Sequence, residues 1–434
     1  MTRFLIKAAT LPNGTRADIY IDGEHIAEVG QELRVTEAQV IDASGLVALP
    51  GFVDLHTHLR EPGFEQSETI LTGSQAAAAG GFTAVHAMAN TSPVQDTAGV
   101  VEQVKSLGLS AGYVDVVPVG AVTVGLEGKQ LAELGAMAQS RAQVRVFSDD
   151  GKCVHDPVLM RRALEYVKAF DGVVAQHAQE PRLTEGAQMN EGAVSAELGL
   201  TGWPAVAEES IIARDVLLAE HVGSRLHICH LSTAGSVEIV RWAKSRGINV
   251  TAEVTPHHLL LTDDLARSYD AVYKVNPPLR TQEDVVALRS ALADGTIDII
   301  ATDHAPHPVE AKDCEWSAAA FGMLGLEIAA SIAQLVLVDS GVSNWGRVAE
   351  VLSKNPAAIG RLTEQGQEIA AGSVANLTLI DPKASREVRE NHSKSSNDPY
   401  RGLTLPGAVV HTFYRGYQTV VSGEVAQEGR SNAK

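Results

Sequence analysis

Short apolar runs recur through the middle of the chain and alternate with longer stretches of helical spacing. Eight of them, at 52–56, 82–88, 113–119, 143–147, 172–177, 225–230, 249–254 and 297–302, read as buried strands. Two intervening segments, 157–170 and 206–220, carry apolar residues at three- and four-residue spacing and are predicted helices. Eight strand–helix units over roughly 250 residues predict a (β/α)8 TIM-type barrel, an α/β fold whose chemistry lies at the C-terminal ends of its strands.

The ends of the chain have a different texture. Residues 1–50 read as short strands broken by Asn13-Gly14 and Asp22-Gly23, dipeptides that accept the positive φ of tight hairpins. Similar runs return at 374–380 and 411–421. Residues 1–50 and 360–425 are therefore expected to pair into one small β-sandwich-like domain beside a barrel of residues 51–359, with 426–434 as a disordered tail.

Composition narrows the partners. A chain of 434 residues that is 45% hydrophobic can bury a large core. Its 35 basic and 53 acidic residues give a net charge of −18, which repels nucleic acid and anionic membranes. The apolar patch at the N-terminus is broken by Lys7, and no long uncharged apolar stretch follows. Cys153, Cys229 and Cys314 are widely separated, which suggests neither a disulfide framework nor a thiolate zinc site. A cytoplasmic enzyme acting on a small molecule is the expectation.

Polar residues collect where the predicted strands end. The first strand closes in His56 and His58, the fourth in Ser148-Asp149-Asp150, the fifth in His177, the sixth in His230 and the eighth in Asp303-His304. In an extended strand, residues two apart share a face, so His56 and His58 can close on one ion. Chance alone gives an H-x-H in about every second chain with this histidine content. Each residue also has a plain structural reading: His177 and His230 as strand-end histidines, with His227 competing; Asp149 and Asp150 as turn residues before Gly151; and Asp303 as a helix cap. Their joint placement at strand ends favours one site. Imidazole and carboxylate suit a divalent ion such as Zn2+, and six ligands exceed what one tetrahedral ion uses. Two metal ions sharing one carboxylate are therefore expected, and spacing leaves open whether Asp149 or Asp150 is shared.

The run Asp54-Leu55-His56-Thr57-His58-Leu59-Arg60-Glu61-Pro62-Gly63, with Asn276-Pro277-Pro278-Leu279-Arg280 and Ala301-Thr302-Asp303-His304-Ala305-Pro306-His307, resembles dihydroorotases of the amidohydrolase superfamily. The likeness runs almost the full length, through Asn355-Pro356-Ala357 and Gly372-Ser373-Val374-Ala375-Asn376-Leu377, and is closest to the bacterial class I type. It implies reversible cyclisation of N-carbamoyl-L-aspartate to L-dihydroorotate in de novo pyrimidine (UMP) biosynthesis. His56, His58 and Asp303 would hold one ion, His177 and His230 the other, and Asp150 both, replacing the carboxylated lysine of many cyclic amidases. Lys152 lies beyond Gly151, outside the strand.

Asp303 would also shuttle the proton between water and the ring nitrogen. Arg60 can clamp the substrate carboxylate bidentately. By resemblance, His58, Asn90, Asn276 and His307 join it, with backbone at Phe321-Gly322 against the ring. His257 and His258 follow the seventh strand, where the resemblance assigns no ligand, and are expected to be structural or to support the site. The resemblance further implies a homo-oligomer, with docking onto aspartate carbamoyltransferase as an added partnership. The competing readings are a hydantoinase or allantoinase, distinguished by the carboxylate-binding set, and an inactive scaffold for that transferase, distinguished by lost metal ligands.

Overall fold

The computed structural model describes residues 3–430. All eight expected barrel strands are present: β1 (Phe52–Thr57), β2 (Phe82–Ala87), β3 (Asp115–Pro118), β4 (Val146–Phe147), β5 (Val173–Gln176), β6 (Leu226–Ile228), β7 (Val250–Val254) and β8 (Ile299–Ile300). Every neighbouring pair within β1–β3 and within β4–β8 is parallel. Parallel bridges Gly120–Phe147 and Thr57–His304 join these two groups at both seams and close the barrel. β1, β2, β4, β5 and β8 are buried along their whole length, which is why they read as apolar runs rather than alternating ones.

Two strands are much shorter than their apolar runs. Within 143–147 only Val146–Phe147 pair, because Gln143 takes a positive φ of 50° and turns the chain. Within 297–302 only Ile299–Ile300 pair, and the chain bends at Asp303. The helices match the apolar spacing closely, at Pro157–Lys168 and Val206–Val222. The first begins where Asp156 accepts from the Val158 and Leu159 amides and Pro157 fills the first turn.

Both chain ends share one nine-stranded sheet. Val47–Pro50 of the N-terminal part pairs antiparallel with Leu377–Glu387 of the C-terminal part, Leu377 facing Pro50 and Ile380 facing Val47. Gly14 and Gly23 take φ of 82° and 62° in the expected turns. This sheet reaches β1 of the barrel through one residue, Gly51. A Cβ there would meet the Thr83 side chain at 2.3 Å, so only glycine lets β1 start this close to β2.

The expected tail from 426 is a correction as far as Arg430. The Ala426 carbonyl accepts from the Tyr113 hydroxyl at 2.9 Å, and the Arg430 amide donates to Gly112 O at 2.7 Å. Gly429 permits this, since a Cβ would come within 2.0 Å of Ala111 O. Residues 431–434 of that segment lie outside the described residues. Among the described residues no helix is long and apolar enough to cross a membrane.

Candidate metal and substrate site

The ends of β1, β4, β5, β6 and β8 bring the six expected ligands together, with four histidines around the carboxylate of Asp150. Oδ1 of Asp150 lies 3.3 Å from His56 Nε2, 3.2 Å from His177 Nδ1 and 3.4 Å from His230 Nε2, while Oδ2 lies 3.3 Å from His58 Nε2. Oδ1 of Asp303 lies 3.4 Å from His56 Nε2 and 3.1 Å from His58 Nε2. All six side chains are buried. Donor atoms of His56, Asp150 and His230 fall within 4.8 Å of one another, and so do those of His56, His58 and Asp303.

Asp149 points elsewhere. It accepts from the Val122 and Thr123 amides at 2.8 and 2.9 Å and from the Thr123 hydroxyl, so it holds a loop. Asp150 is thus the carboxylate among the histidines. Lys152 is exposed.

Backbone and tautomer are both set for this convergence. His230 and Asp303 have φ of 30° and 45°, a left-handed conformation that costs a non-glycine residue of order 1–3 kcal/mol and recurs at functional sites. Three histidines have an oxygen beside the ring nitrogen facing away from the cluster: Asn90 Oδ1 at 2.9 Å from His58 Nδ1, Gln179 Oε1 at 2.7 Å from His177 Nε2, and Glu253 Oε1 at 2.6 Å from His56 Nδ1. An acceptor there places the proton on that nitrogen and leaves the other lone pair for a cation.

The donor set fits divalent metal ions. His56 Nε2 is buried, has no hydrogen-bond partner, and sits between two carboxylates. Burial lowers the pKa of His56, but Asp150, Glu253 and Asp303 outweigh it and hold the imidazole well above its ordinary value. A cation would answer the same negative field without a proton.

The residues expected to bind substrate form a second group beside the first. Arg60 Nε donates to Pro306 O at 3.1 Å, and its Nη2 lies 3.4 Å from His307 Nε2. Burial lowers Arg60 to about 10, which leaves it cationic at neutral pH. The same effect pushes His307 down to about 3, so it is neutral and donates Nε2–H to Phe321 O at 2.8 Å. Asn276 donates to Gln179 Oε1 at 3.2 Å and keeps a buried Oδ1 without a partner. The Gly322 amide is already engaged by Lys274 O at 2.9 Å, which removes it as a free donor to a ring.

His258 is structural: it bonds the Thr255 hydroxyl at 2.7 Å and faces the carbonyls of Pro277 and Pro278. His257 is buried with both ring nitrogens unpartnered and stands outside the two donor groups. Sequence reasoning overlooked Asn397, which accepts from the His307 amide at 3.1 Å and donates to Ala305 O and Gly322 O at 2.9 and 3.1 Å. It also overlooked Gln179 and Glu253; for Glu253 the signal was a lone acid inside an apolar strand.

Residues 45–236 match the family model described as dihydro-orotase-like. The dihydroorotase of Leifsonia xyli subsp. xyli is 70% identical over 426 residues, covering 98% of this chain and 97% of its own. That of Streptomyces coelicolor is 68% identical, covering 98% and 100%, and that of Mycobacterium tuberculosis 55%, covering 95% and 96%. Among solved structures, L-hydantoinase from Arthrobacter aurescens superposes with a TM-score of 0.87 at 26% identity, over 99% of this chain and 98% of its own. The fold is thus shared with a hydantoinase at 26% identity, whereas identity of 55–70% over nearly the whole length is found with these dihydroorotases. The chain belongs to the dihydroorotase family, metal-dependent hydrolases of a cyclic amide carbon–nitrogen bond.

Proposed function

We propose that dihydroorotase activity in this chain, the reversible closure of N-carbamoyl-L-aspartate to L-dihydroorotate in pyrimidine biosynthesis, is carried by a binuclear metal centre built around Asp150. The supporting observation is the position of that carboxylate, whose two oxygens lie 3.2–3.4 Å from nitrogens of four histidines on β1, β5 and β6 or just beyond them. One ion would be held by His56, His58 and Asp303, the other by His177 and His230, with Asp150 shared. Nitrogen and carboxylate donors without a thiolate suit Zn2+. When bound, such ions would supply an activated water at neutral pH and polarise the attacked carbonyl.

The chain's own groups do the rest. Asp303 is buried beside His58, and although burial raises its pKa, His56 and His58 hold it below the ordinary range, so it is ionised and can accept a proton. In hydrolysis it takes that proton from water and passes it to the departing ring nitrogen; in closure it removes the proton from the carbamoyl amide. Arg60, held by Pro306 O next to neutral His307, offers the positive charge that an acidic protein must concentrate to bind a carboxylate.

The test is metal analysis of the purified chain alongside ultraviolet-monitored turnover of dihydroorotate. Two ions per chain, with activity lost on chelation and restored by Zn2+, is the expected result. Full turnover in a metal-free chain, or saturation at one ion, overturns the proposal.

A further inference from the structure

We infer that Glu253 on β7 is a positioning residue that couples the two halves of the metal centre, with His227 fixing its orientation. The inference rests on the binuclear reading above and concerns residues that reading leaves without a role. Oε1 of Glu253 lies 2.6 Å from His56 Nδ1 and 3.1 Å from the backbone amide of His230. Oε2 lies 2.9 Å from His227 Nε2, and His227 Nδ1 lies 2.8 Å from the Thr251 hydroxyl. Glu253, His56 and His227 are each 0% exposed.

One carboxylate oxygen therefore touches one ligand from each proposed metal shell. On the β1 side it accepts the Nδ1 proton of His56, which directs the bare Nε2 at Asp150 and Asp303. On the β6 side it accepts the amide of His230, whose φ of 30° needs an external partner to persist. Asn90 and Gln179 each orient a single ligand, His58 and His177. Glu253 orients two, on strands that are not neighbours.

His227 completes the arrangement. A charged carboxylate in the barrel core is costly unless its oxygens are occupied. With Oε1 taken by the metal ligands, His227 occupies Oε2 and fixes the rotation about the last side-chain bond. A carboxylate oxygen only accepts, so the Nε2 facing it carries the hydrogen, and Thr251 Oγ1, which can donate or accept, partners Nδ1.

A plain structural role would predict something different: a buried acid satisfied in the core would stabilise metal-free and metal-loaded protein alike. The experiment is a chelator-competition titration with Zn2+ on the full chain, comparing wild type with Glu253→Ala, Glu253→Gln and His227→Gln, alongside thermal melts of the metal-free proteins. Glu253→Ala is expected to weaken both ions by roughly 10–100-fold, the range for lost support behind a ligand. Glu253→Gln, which keeps an acceptor but not the charge, should weaken both several-fold, and His227→Gln should do so less.

Wild-type affinity in Glu253→Gln, or a loss confined to one ion, overturns the inference. So does a lowered metal-free melting temperature with unchanged metal affinity. If Glu253→Ala does not fold, Glu253→Gln carries the comparison. Failure of the binuclear reading itself is seen separately, as fewer than two ions bound by wild type.

Discussion

His58 Nε2 lies 3.1 Å from Asp303 Oδ1 while its Nδ1 faces Asn90 Oδ1 at 2.9 Å, so one imidazole spans the proposed proton shuttle and a proposed substrate contact. The proposed mechanism gives Asp303 two tasks, ligand and base, that substitution can separate. Asp303→Asn keeps an oxygen for the ion but cannot accept a proton. We expect it to retain substantial metal and to lose about 10²–10⁴-fold in kcat, the usual worth of a general acid–base group. Metal counting and steady-state turnover on the same sample check this, and near-normal kcat would remove Asp303 from the proton path.

Arg60 and His307 meet at 3.4 Å, but only Arg60 carries charge, since burial holds His307 neutral. Removing the cation should therefore act on binding. For Arg60→Gln we expect KM for dihydroorotate to rise roughly 10–100-fold, from a charged hydrogen bond worth about 1.5–3 kcal/mol, with a smaller change in kcat. An unchanged KM would place the carboxylate elsewhere.

The barrel was legible because its strands are short apolar runs, and those runs located all eight within a few residues. Strand ends then pointed to the candidate ligands, which the structure brings together because in this fold the ends converge. Spacing could not separate Asp149 from Asp150; the difference is that Asp149 is consumed by the Val122 and Thr123 amides, partners far away in sequence. Nor could it show the left-handed turns at His230 and Asp303, which ordinary residue types conceal. Asn397 was invisible because it comes from the connection between Leu377–Glu387 and Thr404–Tyr414 of the nine-stranded sheet, 90 residues beyond the His307 whose amide it accepts.

Gly322 packs tightly against His307, so shape rather than charge is expected to govern this side of the proposed substrate pocket. Its φ is 144°, and a Cβ would come within 2.8 Å of His307 Nε2 and 2.9 Å of the Ala305 side chain. Gly322→Ala must displace His307 or distort the loop, at a cost of about 1–3 kcal/mol. We expect kcat/KM to fall roughly tenfold or more with metal content unchanged. Unaltered kinetics would mean that His307 can move without loss and does not set the pocket.

His86 supplies a pH signature away from the metal cluster. It is fully buried, its Nδ1 donates to Asp54 O at 3.0 Å, and it packs so closely on Gly360 that a Cβ there would meet Nε2 at 2.6 Å. Burial lowers its pKa to about 4, against about 6.5 for an unfolded histidine. Below pH 6.5 the unfolded chain therefore binds a proton that the folded chain refuses, so the stabilisation is complete above that pH and is lost as pH falls toward 4. Between pH 6.5 and 5 this amounts to about 2 kcal/mol, at 1.36 kcal/mol per unit. His86→Gln, which cannot titrate, should show a correspondingly flatter loss of unfolding free energy over that interval in denaturant titrations of metal-free protein. Equal slopes for variant and wild type would mean that His86 is not held neutral in the fold.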